Sequence, residues 1–540
     1  MQSDRSRTIV VLSCLTIITW AVFGNSLING FVWDDALFIL DNPLYKNFEI
    51  KKIFTTLANG LEFLPVRDIS YAIDYNIGQG RPLVFHVSNL IIYTLVVFSV
   101  FFYARVLYRL LFPMNKDGEY STSMVVAAVT ALMFAVHPIH CEPVNFVTCR
   151  NALLSTLFFF VSGTLFLRIF SVPETRWKTG IRYLVALAAF VASIFSKANS
   201  IILPFILLLL SCYTVRTRRL RTAVSTLPFI GVAVGGFYLL ISIAFKAAII
   251  SDRVEDWTLN GCITKLAKAF QIPLFYLGKL IYPHGLSASY DTVFAWSPST
   301  PSVIAAAVAL VIAFAASTRI RTNHPYVLFC LCWYLLALLP VLNFFVTMPV
   351  VADRYILLPS FAFYFLLACA GVQLASRVGW RIMAITSAGI VVYWSLVAVE
   401  QNRVWFSDET LWTAAIRTSP NDSKGYRNLG NLYLEQGNYQ KALQYFEHVK
   451  DYDPAYFLTL GLLAFNAGKL QEAKELFSKS IGRDIKYTEA IYYLGLVYEQ
   501  TGQPDVAAEL YAQAVRMPKA NGGYFSAQAA ERLKTLTERP

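Results

Sequence analysis

The chain has 540 residues and a formal net charge of +12; 56% of its residues are hydrophobic and only 15% charged. An ordinary soluble protein carries about a quarter charged residues, so the composition excludes that class and points to a polytopic membrane protein. No basic stripe interleaved with aromatics appears, which sets nucleic acid aside; in a membrane chain the surplus lysines and arginines collect in cytoplasmic loops and report orientation.

Long apolar runs from residue 8 to about 400 give way to a tail of ordinary composition, so a membrane domain over 1–405 precedes a globular domain over 406–540. The start, MQSDRSR followed by about twenty apolar residues, is long enough to cross 30 Å of hydrocarbon and reads as a retained first helix. Further spans are expected near 83–112, 123–137, 151–170, 182–196, 198–214, 222–248, 299–318, 325–346, 355–376 and 381–400, about eleven crossings with the first.

The segment 262–283 is apolar but carries Lys265, Lys268 and Lys279. Charge decides its reading. Arg5 and Arg7, Arg105 and Arg109, the group Arg168 to Arg182, and RTRRLR at 216–221 share one side, the cytoplasm, when the first helix runs outward. RIR at 319–321 and Arg377 with Arg381 join them only if 262–283 lies along the interface or re-enters rather than crossing. On that topology the tail emerges on the outer face, in the periplasm or an organelle lumen.

Four polar stretches fall on that face. NGFVWDDALFIL at 29–40 sets Asp34 beside Asp35 in an apolar stretch. One acid suffices to cap a short helix beginning at Ala36; two suit a job in which one takes a proton while the other orients it or holds a ligand. HPIHCEPVNFVTCRN at 137–151 brings His137, His140, Glu142 and Arg150 into one loop, as the hydrogen-bonded lining of a polar cavity or as ligands of a divalent metal. FSKANSIILP leaves Lys197 between two apolar runs, either snorkelling or neutralising an anion. NFFVTMPVVADRYILLPS carries Asp353, Arg354 and Tyr355, and the arginine fork suits phosphate. Arg81 with His86, and Tyr290 with Asp291, are weaker candidates for the same cavity or for loop architecture. Acids facing basic groups beside a bilayer suggest group transfer from a lipid-phosphate donor. Of the eight cysteines, Cys141 and Cys149 share one polar stretch and are expected as two unlinked thiols; no CxxC or Cys/His cluster has metal-ligand spacing.

The tail repeats. Leu429, Gly430, Tyr433, Gly437, Ala442, Phe446 and Pro454 fall at the offsets of a tetratricopeptide repeat, Gly461, Gly468, Ala473 and Phe477 form a second copy, and Gly495, Tyr498, Gly502, Ala507 and Tyr511 a third. The third follows the second by 34 positions and the second follows the first by 31, which a shortened loop near Asp451 to Ala455 would explain. The fold class expected is therefore all-α: a helical membrane domain followed by a short α-solenoid, which either receives an extended peptide or braces the membrane part.

FVWDD, RPL followed by FHVSNLIIYTL, FAVHPIHCEPVNFVTCRN, FSKANSIILP, YLGKLIYPHGLSASYD, PVLNFF before ADRYILLPS, and the closing repeats together resemble the transmembrane and tetratricopeptide repeat-containing O-mannosyltransferases and their bacterial relatives, within the GT-C glycosyltransferase superfamily. The resemblance covers nearly the whole chain. It implies a polyprenyl-phosphate-linked sugar as donor, mannose in eukaryotic members, and a hydroxyl acceptor, often a protein Ser or Thr. Asp34 or Asp35 would be the general base, with inversion at the anomeric carbon. Arg354, Lys197 and Arg150, with Tyr355, would hold the departing phosphate, while His137, His140, Glu142, Arg81, His86, Tyr290, Asp291 and Asp353 would line the pocket. No cofactor is required beyond the lipid-linked donor, and a divalent metal stays an option. The family commonly has Lys-Glu where this chain has Lys197 and Ala198, and often glutamate at the place of Asp353. A bacterial inner membrane with the repeats in the periplasm is the first expectation for location, and an endoplasmic reticulum membrane with the repeats in the lumen the second. A glycolipid or surface glycan as acceptor, and a non-catalytic repeat scaffold, are the rival functions.

Overall fold

The computed structural model describes residues 2–40, 42–57, 63–112, 119–171, 175–213, 216–246, 258–290, 301–342, 351–449, 453–484, 487–517 and 524–537, and the structural statements below concern these. They are helical, with no strand among them, and form two compact units, Met1–Ser407 and Asp408–Pro540.

In the first unit eight helices are long and apolar enough to cross a bilayer: Asp4–Ile28, Pro82–Leu111, Val147–Phe170, Arg176–Ile194, Arg219–Leu240, Pro301–Arg319, Ser360–Val378 and Trp380–Val404. This is a multi-pass membrane protein. A ninth span is possible by length if Thr122–Val136 and Pro138–Asn145, bent by 58° at His137, are one crossing. The bend has a local cause. Pro138 supplies no backbone N–H and pushes the residue before it out of the helical region, and His137 stands at φ −70°, ψ 129°.

Among the described residues this count by length and composition is eight or nine, beside the eleven spans expected from the sequence. The stretches at 198–214 and 325–346 form shorter apolar helices, Ala198–Ser211 and Pro325–Val341. The first loses length because Lys197 is extended and a 3-10 turn precedes the α-helix Leu203–Ser211, whose nine residues rise only about 14 Å. Leu259–Ile281 is a 23-residue helix with Pro273 inside it, and it is not among the eight.

Helix Pro82–Leu111 is the axis of the core and buries its length against Glu119–Val136 and Arg150–Ser171. Where it meets Arg150–Ser171, a Cβ on Gly163 would stand 2.7 Å from the Tyr103 ring, so glycine is what lets these two helices close up. Tyr103, Phe160, Trp333 and Phe361 then cluster around the contact at mostly tilted angles, with Tyr103 edge-on to Phe361.

The second unit stacks three helix pairs, Ser423–Glu435 with Tyr439–Phe446, Pro454–Asn466 with Leu470–Arg483, and Thr488–Gln500 with Pro504–Arg516, preceded by Asp408–Thr418 and followed by Tyr524–Thr537. Within each pair a glycine faces an aromatic ring. A Cβ on Gly430 would stand 2.6 Å from Cδ1 of Phe446, on Gly461 2.5 Å from Cε1 of Phe477, and on Gly495 2.6 Å from Cε1 of Tyr511. Gly437, Gly468 and Gly502 make the turns at φ +73°, +73° and +76°. The second helix of the first pair has 8 residues against 14 and 13 in the next two, so the shorter first period lies partly in a helix and not in a loop alone.

Candidate active site

The Asp34–Asp35 loop is held from both ends of the first unit. Gly30 N donates to Phe406 O at 3.0 Å, the Asn29 amide to Asn145 Oδ1 at 2.8 Å, and His86 Nε2 lies 3.3 Å from Gly30 O. The two acids then part company. Asp35 is 0% exposed and accepts from Val32 N at 3.4 Å, Val147 N at 3.3 Å, Thr148 N at 2.7 Å and the Thr148 hydroxyl at 2.7 Å. It caps the turn Val147–Cys149 and ties the first loop to the second. Burial pushes its carboxyl up to about 7, while these four donors pull the other way. Asp34 is only half-buried. Their neighbour Trp33 sits at φ +55°, a left-handed conformation that costs a bulky residue energy unless its surroundings enforce it. Those surroundings are a stack: Trp33 lies flat on Phe146 at 5.0 Å, and Phe146 on Trp405 at 5.7 Å.

The cations converge beside that stack. The Arg354 guanidinium stands 5.9 Å from the Trp33 ring and 5.2 Å from that of Tyr355, and the Lys197 ammonium is 5.5 Å from the same Tyr355 ring. Arg354 is ion-paired to Glu142, whose other oxygen accepts from Arg354 N at 2.7 Å. Cys149 lies within electrostatic reach of Arg354, Glu142, Lys197 and Asp35, so the turn that Asp35 caps lies near both cations. Asp353 is buried and accepts from the Tyr290 hydroxyl at 2.7 Å; burial and the Glu142 charge hold its carboxyl well above the usual range. Lys279 donates to the carbonyls of His284 and Gly285 at 2.6 and 2.8 Å and lies 5.4 Å from the Tyr290 ring.

Several sequence candidates stand elsewhere. Arg150 is 0% exposed, with an ion pair to Asp74 at 2.6 Å and hydrogen bonds to Asn89 at 2.6 Å and the Phe85 carbonyl at 2.9 Å. Its fork is spent inside the core, so the expectation that it grips phosphate is replaced by a structural role. His137 uses both ring nitrogens, toward Leu280 O at 3.0 Å and Ile139 N at 3.2 Å; His140 uses both, toward Tyr93, Phe134 O and Ser360. Both are buried staples with no lone pair left over for a metal, and among the described residues no three His, Cys, Asp or Glu side chains group as a ligand set. Arg81 is exposed where helix Pro82–Leu111 begins, and His86 serves the first loop from beneath. Asp291 lies outside the described residues. Cys141 and Cys149 are unpaired.

Sequence reasoning passed over the stack of Trp33, Phe146 and Trp405, the two hydrogen bonds from Thr148 that hold Asp35, and Lys279 as a partner of the Tyr290 side. Trp33 was in the quoted motif, but only the fold brings Phe146 and Trp405 to it.

The tetratricopeptide repeat family matches residues 411–444 and again 458–523. The chain is 24% identical to the human protein O-mannosyl-transferase TMTC3 over 94% of its own length and 60% of that protein's, and 23% identical to the Caenorhabditis elegans protein O-mannosyl-transferase F38B6.6 over 84% and 64%. Among solved structures, MamA is 21% identical over 24% of this chain and 84% of that one, at a TM-score of 0.19 that carries no argument. The chain spans about 60% of the length of the first of these curated relatives. Over most of its length the chain is thus similar to proteins named O-mannosyl-transferases, and its second unit matches the tetratricopeptide repeat family.

Proposed function

We propose that the first unit is a GT-C-type glycosyltransferase that moves a mannose-like hexose from a polyprenyl-phosphate carrier to the hydroxyl of a polypeptide Ser or Thr. The observation that carries this reading is the meeting of the Asp34–Asp35 loop with Arg354 and Lys197 around the turn at Cys149. Asp34, half-buried and next to the buried Asp35, is the general base; Asp35 fixes the loop. In one displacement the acceptor oxygen bonds to the anomeric carbon, the bond from that carbon to the phosphate oxygen breaks, and the acceptor proton passes to the Asp34 carboxylate. Attack from the face opposite the leaving group inverts the anomeric configuration. Arg354 and Lys197 face the charge that grows on the departing phosphate, where preorganised cations act most strongly on the transition state. Glu142 holds Arg354 by its fork and backbone, and Tyr355 is the ring both cations share.

The basic loops read from the sequence support a non-cytoplasmic face for this chemistry. A periplasm meets that requirement; the lumen of the endoplasmic reticulum is the reading favoured by relatives from animals. The repeats would present the polypeptide acceptor. The test is reconstitution of the full chain with radiolabelled polyprenyl-phosphate mannose and a Ser/Thr-rich peptide. Label in the peptide that disappears in D34N supports the proposal. Label found only in lipid or glycan, or transfer undiminished in D34N, overturns it.

A further inference from the structure

The second unit holds a cavity of about 490 Å³, and the side chains that shape it come chiefly from the first helix of each pair. Glu435 and Glu489 line it together with Asn431, Tyr439, Tyr487 and Tyr493, and no lysine or arginine is among its described lining. Glu489 and the hydroxyl of Tyr487, both half-buried, have no hydrogen-bond partner among the described residues. Other acids in this unit do have cationic partners: Asp453 is paired with Arg427, Glu409 with Lys441, and Glu499 with Arg532. The concave groove thus concentrates negative charge and aromatic faces without supplying a countercharge.

From this arrangement we infer that the groove receives an extended polypeptide segment bearing a lysine or arginine, whose cationic head sits between Glu435 and Glu489 against the tyrosine rings. A cation there gains two carboxylates and the electron-rich faces of aromatic rings, and it is partly desolvated, where such contacts are strongest. The Asn431 amide can donate to and accept from a peptide backbone running along the groove. Burial and the charge of Glu435 push the Glu489 carboxyl up to about 7 in the unoccupied groove, which is what two acids without a cation should do. This inference stands on the second unit alone and does not depend on the proposed transfer reaction.

The test uses the full chain in detergent micelles and three fluorescent nine-residue peptides of alternating Ser and Ala that differ only at the centre: arginine, citrulline or glutamate. Fluorescence anisotropy reads binding, and a thermal melt confirms that each variant is folded. The arginine peptide is expected to bind at least about tenfold tighter than the citrulline peptide, which has the same shape without the charge. The preference should shrink in E489Q and in E435Q and vanish in the double variant, with citrulline binding unchanged. E435Q keeps the test sound if E489Q unfolds, because Glu435 is exposed. Equal binding of arginine and citrulline peptides, preference for glutamate, no measurable binding of any of the three, or an arginine preference surviving both substitutions would each overturn the inference.

Discussion

The Arg354 guanidinium stands 5.9 Å from the ring of Trp33, two positions before Asp35, although 321 residues separate the two in the chain. Trp33 holds an unfavourable backbone conformation to be there, φ +55°, and its ring is clamped against Phe146. Stacking therefore helps to register the acidic loop against the cation. W33A should lower turnover by about tenfold to a hundredfold, since small misplacements near reacting groups carry such penalties. W33F should recover part of it. Equal turnover in W33A and wild type, measured with saturating donor, would remove the stack from the mechanism.

The two acids should separate in kinetics. D34N removes the proposed base and is expected to cost about 10²–10⁴ in turnover, the usual range for general-base loss, with an unchanged melting temperature. D35N leaves Asp34 in place but weakens the cap on Val147 and Thr148, so its loss should follow loop order and be smaller. If D35N is the more inactive of the two while its fold is intact, the roles are reversed.

Asp35 also sets a pH dependence. Its folded-state value, about 7, is raised above the ordinary 3.8 by burial, so its contribution favours the folded state at low pH and is lost as pH rises from about 4 to about 7. The wild-type melting temperature should therefore fall relative to that of D35N across this interval and run parallel to it above. Parallel curves throughout would mean that the four donors keep Asp35 ionised.

Arg150 should matter for folding before it matters for chemistry. R150A strands the buried Asp74 carboxylate, 6% exposed, without its partner, a defect of about 3–5 kcal/mol. Membrane yield and melting temperature should drop. In R150A/D74A, with neither charge left, yield should rise again even though both side chains are gone; normal yield in R150A would show the pair to be dispensable.

In the repeats, G461A drives a methyl into the Phe477 ring, where a Cβ would stand 2.5 Å from Cε1. The expected loss is about 1–3 kcal/mol, seen as a lower melting temperature of the second unit. G461A/F477L should regain part of it, because leucine has no atom where the ring edge stood.

The repeat spacing at Gly430, Gly461 and Gly495, the apolar runs and the polar loops could all be read from the chain, because periodicity and hydrophobicity are local properties that a bilayer or a neighbouring helix selects directly. The number of full-length spans could not. The expected spans already part at His137 and Lys197, but whether Thr122–Val136 and Ala198–Ser211 cross a bilayer on their own depends on what packs beside them.

Residue chemistry by itself marked Asp34, Asp35, Glu142, Lys197 and Arg354 as candidates, because charged groups are rare in an apolar chain and therefore stand out. It could not tell Asp34 from Asp35, or Arg354 beside the acidic loop from Arg150 enclosed in the core. Those distinctions belong to the tertiary structure, because whether a side chain is available depends on partners distant in sequence: Thr148 for Asp35, Asp74 and Asn89 for Arg150, Leu280 for His137 and Ser360 for His140. A burial site filled by such partners leaves no bonding capacity for a ligand, and only the packed fold fixes which sites are filled.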